Sequence, residues 1–149
     1  MRPHNARIIT TLLVEPTRRT GKEHGITICR DLLTGAITGK LMRGHPTDIY
    51  LEPCPRGQTL AMLHTHPHSF DCRTRVSDGD IECADTGQAP ICAIAVRETE
   101  CPSLFLSCYT PHSRMLCDTG GDPDSRRGTI REMHKWAIYE RPPRRRRDR

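Results

Sequence analysis

The chain has 149 residues, 35% of them hydrophobic and 4% aromatic, enough for one domain with a modest aliphatic core and too little for two. No apolar stretch approaches the roughly 20 residues that cross a bilayer, and the short apolar run near the start lacks the form of a secretory leader. The net charge of +5 resides in the last nine residues, RPPRRRRDR, so the neutral body has no footprint of a nucleic-acid-binding fold.

Residues 6–14 (ARIITTLLV) suit either a short helix or a strand, and Pro16 should end it. EHGITICR, residues 23–30, predicts a strand, and a turn at 33–35 followed by a second strand near 36–42 makes a hairpin. A further strand is expected over 47–51. A Pro-Cys-Pro-Arg-Gly loop then leads into 58–63, an apolar run ending at His64. A loop of ten residues, 67–76, rich in polar and charged types, separates this strand from a helix with Ser77 at its N-cap. PICAIAVR at 90–97 predicts a buried strand, 103–109 another, and 113–117 a short third. A loop over 118–125 precedes a terminal helix at 126–139. Mixed strands with a few helices point to an α/β or α+β fold, with one domain over residues 1–140 and a disordered Arg-rich tail over 141–149. The tail is read as a solvated extension first and a contact for nucleic acid or an acidic partner second.

Eight cysteines in a chain without a leader, none of them in a CxxC pair, favour free thiols in a reducing, cytoplasmic setting, with one or two disulfides left open. Cys29 and Cys92 lie within apolar runs, where they serve as small buried hydrophobes.

Residues 64–80, HTHPHSFDCRTRVSDGD, carry the chemistry. His64 and His66, two apart on a strand, share one face. With Asp80 they make three ligands that leave one position of a tetrahedral Zn²⁺ open to water, the pattern of a catalytic metal site. Ser77 and Asp80 also form an ordinary S-x-x-D capping box, and the two roles are compatible because a helix N-terminus positions both side chains. His68, Asp71 and Asp78 are spare polar groups of the loop and first turn, and His24 points to the face away from the histidine pair.

The order Glu23-His24-Gly25, then His64-Thr65-His66-Pro67, then Ser77-Asp78-Gly79-Asp80, resembles the JAMM (MPN+) zinc metalloprotease family over roughly residues 20–110. The His66–Ser77 loop is a few residues longer than the family pattern, a difference that a surface loop absorbs at little entropic cost. The resemblance implies a mixed β-sheet of cytidine-deaminase-like type with flanking helices. It implies His64, His66 and Asp80 as zinc ligands, with Glu23 as general base toward a zinc-bound water and Ser77 as a donor to the developing oxyanion. It further implies hydrolysis of peptide or isopeptide bonds, with protein substrates of the ubiquitin-like or sulfur-carrier kind.

Two other readings compete. H-T-H with S-D-G also resembles the opening of PHP-type phosphoesterases, but such a barrel needs over ~200 residues and only 83 follow His66. The H-x-E and P-C-x-x-C signature of zinc deaminases is absent. A non-catalytic scaffold or interaction module of the same fold is the alternative from another class.

Overall fold

The computed structural model describes residues 3–55, 57–99, 101, 104, 106–111 and 115–118. The elements, in chain order, are α1 (Pro3–Ile9), a π-helical turn (Thr10–Val14), α2 (Glu15–Thr20), β1 (His24–Asp31), β2 (Ile37–Arg43), β3 (Gly57–His66), α3 (Asp78–Gly87), β4 (Ile91–Ala95), β5 (Leu106–Thr110) and β6 (Met115–Asp118). The strands form one sheet in the order β2-β1-β3-β4-β5-β6. Among the described residues only β3 and β4 run parallel, joined by α3 as a βαβ crossover, and every other neighbouring pair is antiparallel. This is a mixed α/β molecule of α+β character, as the pattern of runs implied. The loop expected over 118–125, the helix expected over 126–139 and the Arg-rich tail at 141–149 lie outside the described residues, apart from Asp118. Among the described residues no helix is long and apolar enough to cross a membrane.

Two sequence expectations are corrected. Residues 6–14 are helical, and Pro16 does not end the helix. A proline inside an α-helix lacks an N–H and collides with the carbonyl four residues back. Here the preceding turn is widened: the Glu15 N–H reaches Thr10 O, five residues back, and Pro16 falls in the first turn of α2. The helix stops at Gly21, whose φ of 68° is left-handed. The strand expected at 47–51 is also absent. His45 N–H donates to Asp48 O at 2.8 Å, closing a turn. The chain then lies across the sheet, with Leu51 buried and Ile49 packed beside it.

Alternation along β3 sets the architecture. Its register against β1 shifts between Ile28, opposite Ala61, and Cys29, opposite Thr59, so Leu60 is an extra, bulged residue. Beyond the bulge, Ala61 and Leu63 join the core formed with Ile9, Leu13 and Val14 of the N-terminal helix and with Ile26 and Ile28. Met62 faces the opposite way, into a smaller core with Leu51, Ala84, Ala89, Ile91 and Tyr109 under α3. The period of two therefore sends His64 and His66 to the α3 face and Thr65 to the helical face.

The expectation of free thiols is also corrected. Disulfides join Cys29 to Cys54, Cys72 to Cys101 and Cys92 to Cys108. The last pair sits directly across β4 and β5, and both residues are buried as expected for apolar positions. Spacing in sequence carried no sign of this, because the pairing is decided by Cα separations of 4.0–5.8 Å that only the fold creates. Cys83 is a free thiol, and the side chain of Cys117 lies outside the described ones.

Candidate metal centre

The centre forms where β1 begins and β3 ends. Glu23 precedes β1 on the face of Gly25, which pairs with His64. Its backbone is fixed by the segment after β2: Glu23 N–H donates to His45 O at 2.9 Å and Gly44 N–H donates to Glu23 O at 2.8 Å. The residues flanking the histidines are small. Gly25 stands opposite His64 on one side, while on the other Ala93 pairs with His64 and Ala95 with His66. A Cβ on Gly25 would lie 2.5 Å from Leu51 Cδ2 and 2.9 Å from Leu63 O, so only glycine lets the 49–51 segment close over this point.

Asp80 arrives from the first turn of α3. Ser77 caps that helix, its Oγ accepting from Asp80 N–H at 3.1 Å while Asp80 Oδ2 accepts from Ser77 N–H at 2.8 Å. This is the capping box legible in the sequence, and it aims the carboxylate at both histidines. His64 Nε2 lies 3.0 Å from Asp80 Oδ1, His66 Nε2 lies 3.4 Å from Asp80 Oδ2, and the two Nε2 atoms are 2.9 Å apart. Ligands held at ~2.0–2.2 Å around a tetrahedral ion stand about 3.4 Å from one another. The observed spacings reach that value in one pair and fall short of it in two, so this set would open by a few tenths of an ångström around such an ion. Ligand atoms of Glu23, His64 and His66 also fall within 4.8 Å of one another, so this group could hold a metal ion. All four side chains converge, as the sequence anticipated, while His68, Asp71 and Asp78 do not join them. His68 packs beside Gly21, and Asp71 Oδ1 accepts from Arg73 N–H at 2.7 Å within the loop.

The electrostatics separate the two carboxylates. Glu23 is 4% exposed. Burial, reinforced by the charges of Asp80 and Asp48 and opposed by His66, pushes its pKa up to about 7. Burial also disfavours ionised Asp80, but hydrogen bonds from His64 and His66, the His64 charge and the Ser77 N–H outweigh it and hold this carboxyl well below the usual range. One carboxylate is thus a fixed anion and the other is poised to exchange a proton near neutrality. Ser77, whose Oγ accepts in the cap, also lines the cleft over the centre.

A cleft of about 510 Å³ opens over the centre, walled by Pro46, Asp48 and Ile49 on one side and by Ser77, Gly79 and Cys83 on the other. Burial and the neighbouring Asp80 charge push the Cys83 thiol up, which makes it a poor nucleophile.

Three features escaped sequence reasoning. Thr74, from the long loop, lies 2.8 Å from His66 Nδ1. Asp48 stands in the cleft wall. On the opposite face, Thr65 Oγ1 accepts from His24 N–H at 2.9 Å and meets Thr17 Oγ1 at 2.6 Å, while Thr17 also lies 3.1 Å from His24 Nδ1. Only Thr65, fixed between the two histidines, carried any signal. Compared with protein-family models, with curated proteins and with solved structures, the chain finds no match in any of the three.

Proposed function

We propose that the protein is a zinc-dependent metallopeptidase of JAMM type that hydrolyses peptide or isopeptide bonds. The observation that carries this reading is the convergence of Glu23, His64, His66 and Asp80, drawn from three separate segments, with Glu23, His66 and Asp80 lining an open cleft and His64 buried beneath it. Two imidazoles and one carboxylate are the donor set of a catalytic zinc ion rather than of a structural one. When bound, such an ion supplies Lewis acidity at the scissile carbonyl and acidifies the attacking water.

The residues of the chain perform the remaining work. Glu23 takes a proton from the attacking water and returns it to the leaving amine, a shuttle suited to a buried carboxyl titrating near pH 7. Ser77 donates its hydroxyl proton to the oxygen on which charge develops. Asp80 stays ionised and holds the charge of the ligand set. The cleft is open at its rim, which suits a chain segment of a protein substrate; ubiquitin-like and sulfur-carrier proteins with flexible C-terminal tails are the class implied by the resemblance. The three disulfides weigh toward an oxidising compartment over the cytoplasm expected from the sequence.

The test combines zinc stoichiometry with cleavage. The wild-type chain should carry one zinc that His66→Ala lacks, and it should cleave ubiquitin-like fusions or isopeptide conjugates. Glu23→Gln and Asp80→Asn should abolish cleavage while the fold persists. Full activity in either variant would remove the mechanism, and a folded wild type that takes up no zinc at micromolar metal would favour the scaffold reading.

A further inference from the structure

The two histidines of the centre are held in different ways. His64 is 1% exposed at its side chain, and its Nδ1 has no hydrogen-bond partner among the described residues, so packing and the contacts of its Nε2 with Asp80 and His66 fix its ring. His66 is 23% exposed and lacks such walls. Its ring is instead met by Thr74 Oγ1, 2.8 Å from Nδ1. For Nε2 to offer its lone pair to a metal ion shared with His64 and Asp80, Nδ1 must carry the proton and donate it to that hydroxyl.

Thr74 belongs to the loop that exceeds the family pattern, and this loop is anchored along its length. Ser69 N–H donates to Val96 O at 3.0 Å, Val96 N–H donates to His66 O at 3.1 Å, and Ser69 Oγ donates to His66 O at 2.7 Å. Further on, Cys72 is bonded to Cys101 beyond β4, and the Arg97 guanidinium rests 3.9 Å from Cys72 Sγ. The loop then ends at the Ser77 cap. Thr74 lies two residues after one fixed point and three before the next, a span of about 7–10 Å of chain on either side, so its hydroxyl has little room to wander.

We infer that the 67–76 loop is part of the metal centre's support: Thr74 is a positioning residue that orients His66 and accepts the Nδ1 proton of its metal-binding tautomer, and the Cys72–Cys101 disulfide holds Thr74 in place. This rests on the proposed metal-binding reading, and it gives the extra loop length a purpose at the centre itself.

The experiment measures zinc affinity of the full-length protein by competition with a chromophoric chelator, with circular dichroism to verify folding. Thr74→Val, which keeps the shape and removes the hydroxyl, should weaken binding about 10–100-fold, whereas Thr74→Ser should stay within about twofold of the wild type. The double variant Cys72→Ser/Cys101→Ser should weaken zinc binding by less than Thr74→Val. Adding Thr74→Val to it should then cost less than it does alone, because the two changes act on one contact. Wild-type affinity in Thr74→Val, or equal losses in Thr74→Val and Thr74→Ser, would overturn the role of the hydroxyl. Unchanged affinity in the double variant would overturn the clamp. A wild type that binds no zinc would instead bring down the metal reading, so the two failures are told apart.

Discussion

The two faces of β3 both bury polar side chains at the same height, yet they handle them in opposite ways. On the helical face Thr65, Thr17 and His24 satisfy one another and the adjacent backbone, with contacts of 2.6–3.1 Å and no carboxylate among them. On the α3 face two histidines and two carboxylates crowd together, Glu23 is driven to a pKa of about 7, and His64 Nδ1 has no partner among the described residues. A closed network of mutually hydrogen-bonded groups stabilises the sheet end. A convergent set of titratable groups with unspent ligand capacity costs stability, and such sets are kept where a site uses them. Neighbouring residues of one strand, His64, Thr65 and His66, thus separate into structure and chemistry by direction alone.

The sharpest way to break this contrast is to alter function on one face without touching the fold. Glu23→Gln keeps the volume of the side chain and removes the proposed proton shuttle, so kcat for the proposed cleavage should fall about 10²–10⁴-fold. Zinc stoichiometry should persist. A variant that retained the wild-type rate would show that Glu23 belongs with the structural polar groups.

The next effect is on stability and its pH dependence. Glu23 has a folded pKa of about 7 against an ordinary 4.5, so the folded chain binds the extra proton between these values. Stability of the metal-free protein is therefore greatest near and below pH 4.5 as far as this group is concerned, and it falls as pH rises through 7. The total loss is on the order of 3 kcal/mol. Asp80 acts in the opposite sense, its contribution vanishing only in strong acid as its depressed carboxyl finally protonates. Urea denaturation of chelator-treated protein at pH 5 and pH 8 should show the fall in the wild type and little of it in Glu23→Gln. A wild-type profile as flat as that of the variant would mean that Glu23 is better solvated than its burial implies.

Gly25 tests the small-residue walls of the centre. Adding a methyl group drives a carbon into Leu51 and toward Leu63 O, and overpacking of this kind costs about 1–3 kcal/mol. Because Leu51 and Ile49 belong to the cleft wall as well as the core, Gly25→Ala should lower both the midpoint of thermal unfolding and zinc affinity. Loss of stability with unchanged affinity would separate the wall from the centre.

Much of this was legible before the fold was known, and the reasons are local. A strand ending in H-T-H places two imidazoles on one face by the period of two, and S-x-x-D opens a helix with its carboxylate turned back by its own cap. Both devices lie within a few residues of chain, so sequence specifies them. Thr74 and the three disulfides depend on where separate segments come to rest, which spacing does not encode. The course of the helix through Pro16 was hidden for another reason: the rule that proline ends a helix assumes regular α-turns, and the π-turn before it breaks that assumption. Residues 47–51, though suited to a strand, were taken for the cleft wall by the turn that precedes them.

The smallest expected effect lies on the helical face. Thr17→Val keeps the shape of the buried side chain and removes a hydroxyl that touches Thr65 and His24. Thr65 Oγ1 still has the backbone of His24, and His24 Nδ1 still lies 2.9 Å from Lys22 O, so neither is left wholly unpaired. The cost should be about 1 kcal/mol, that of a single net hydrogen bond. Zinc affinity and the pH dependence set by Glu23 should be unchanged, since the lost contact faces away from the centre. Measured together, these three quantities ask whether the sheet end insulates its two faces. A drop in zinc affinity for Thr17→Val as large as that for Gly25→Ala would show that the polar network sets the register of Glu23 against the histidines, and that the division between structure and chemistry along β3 is incomplete.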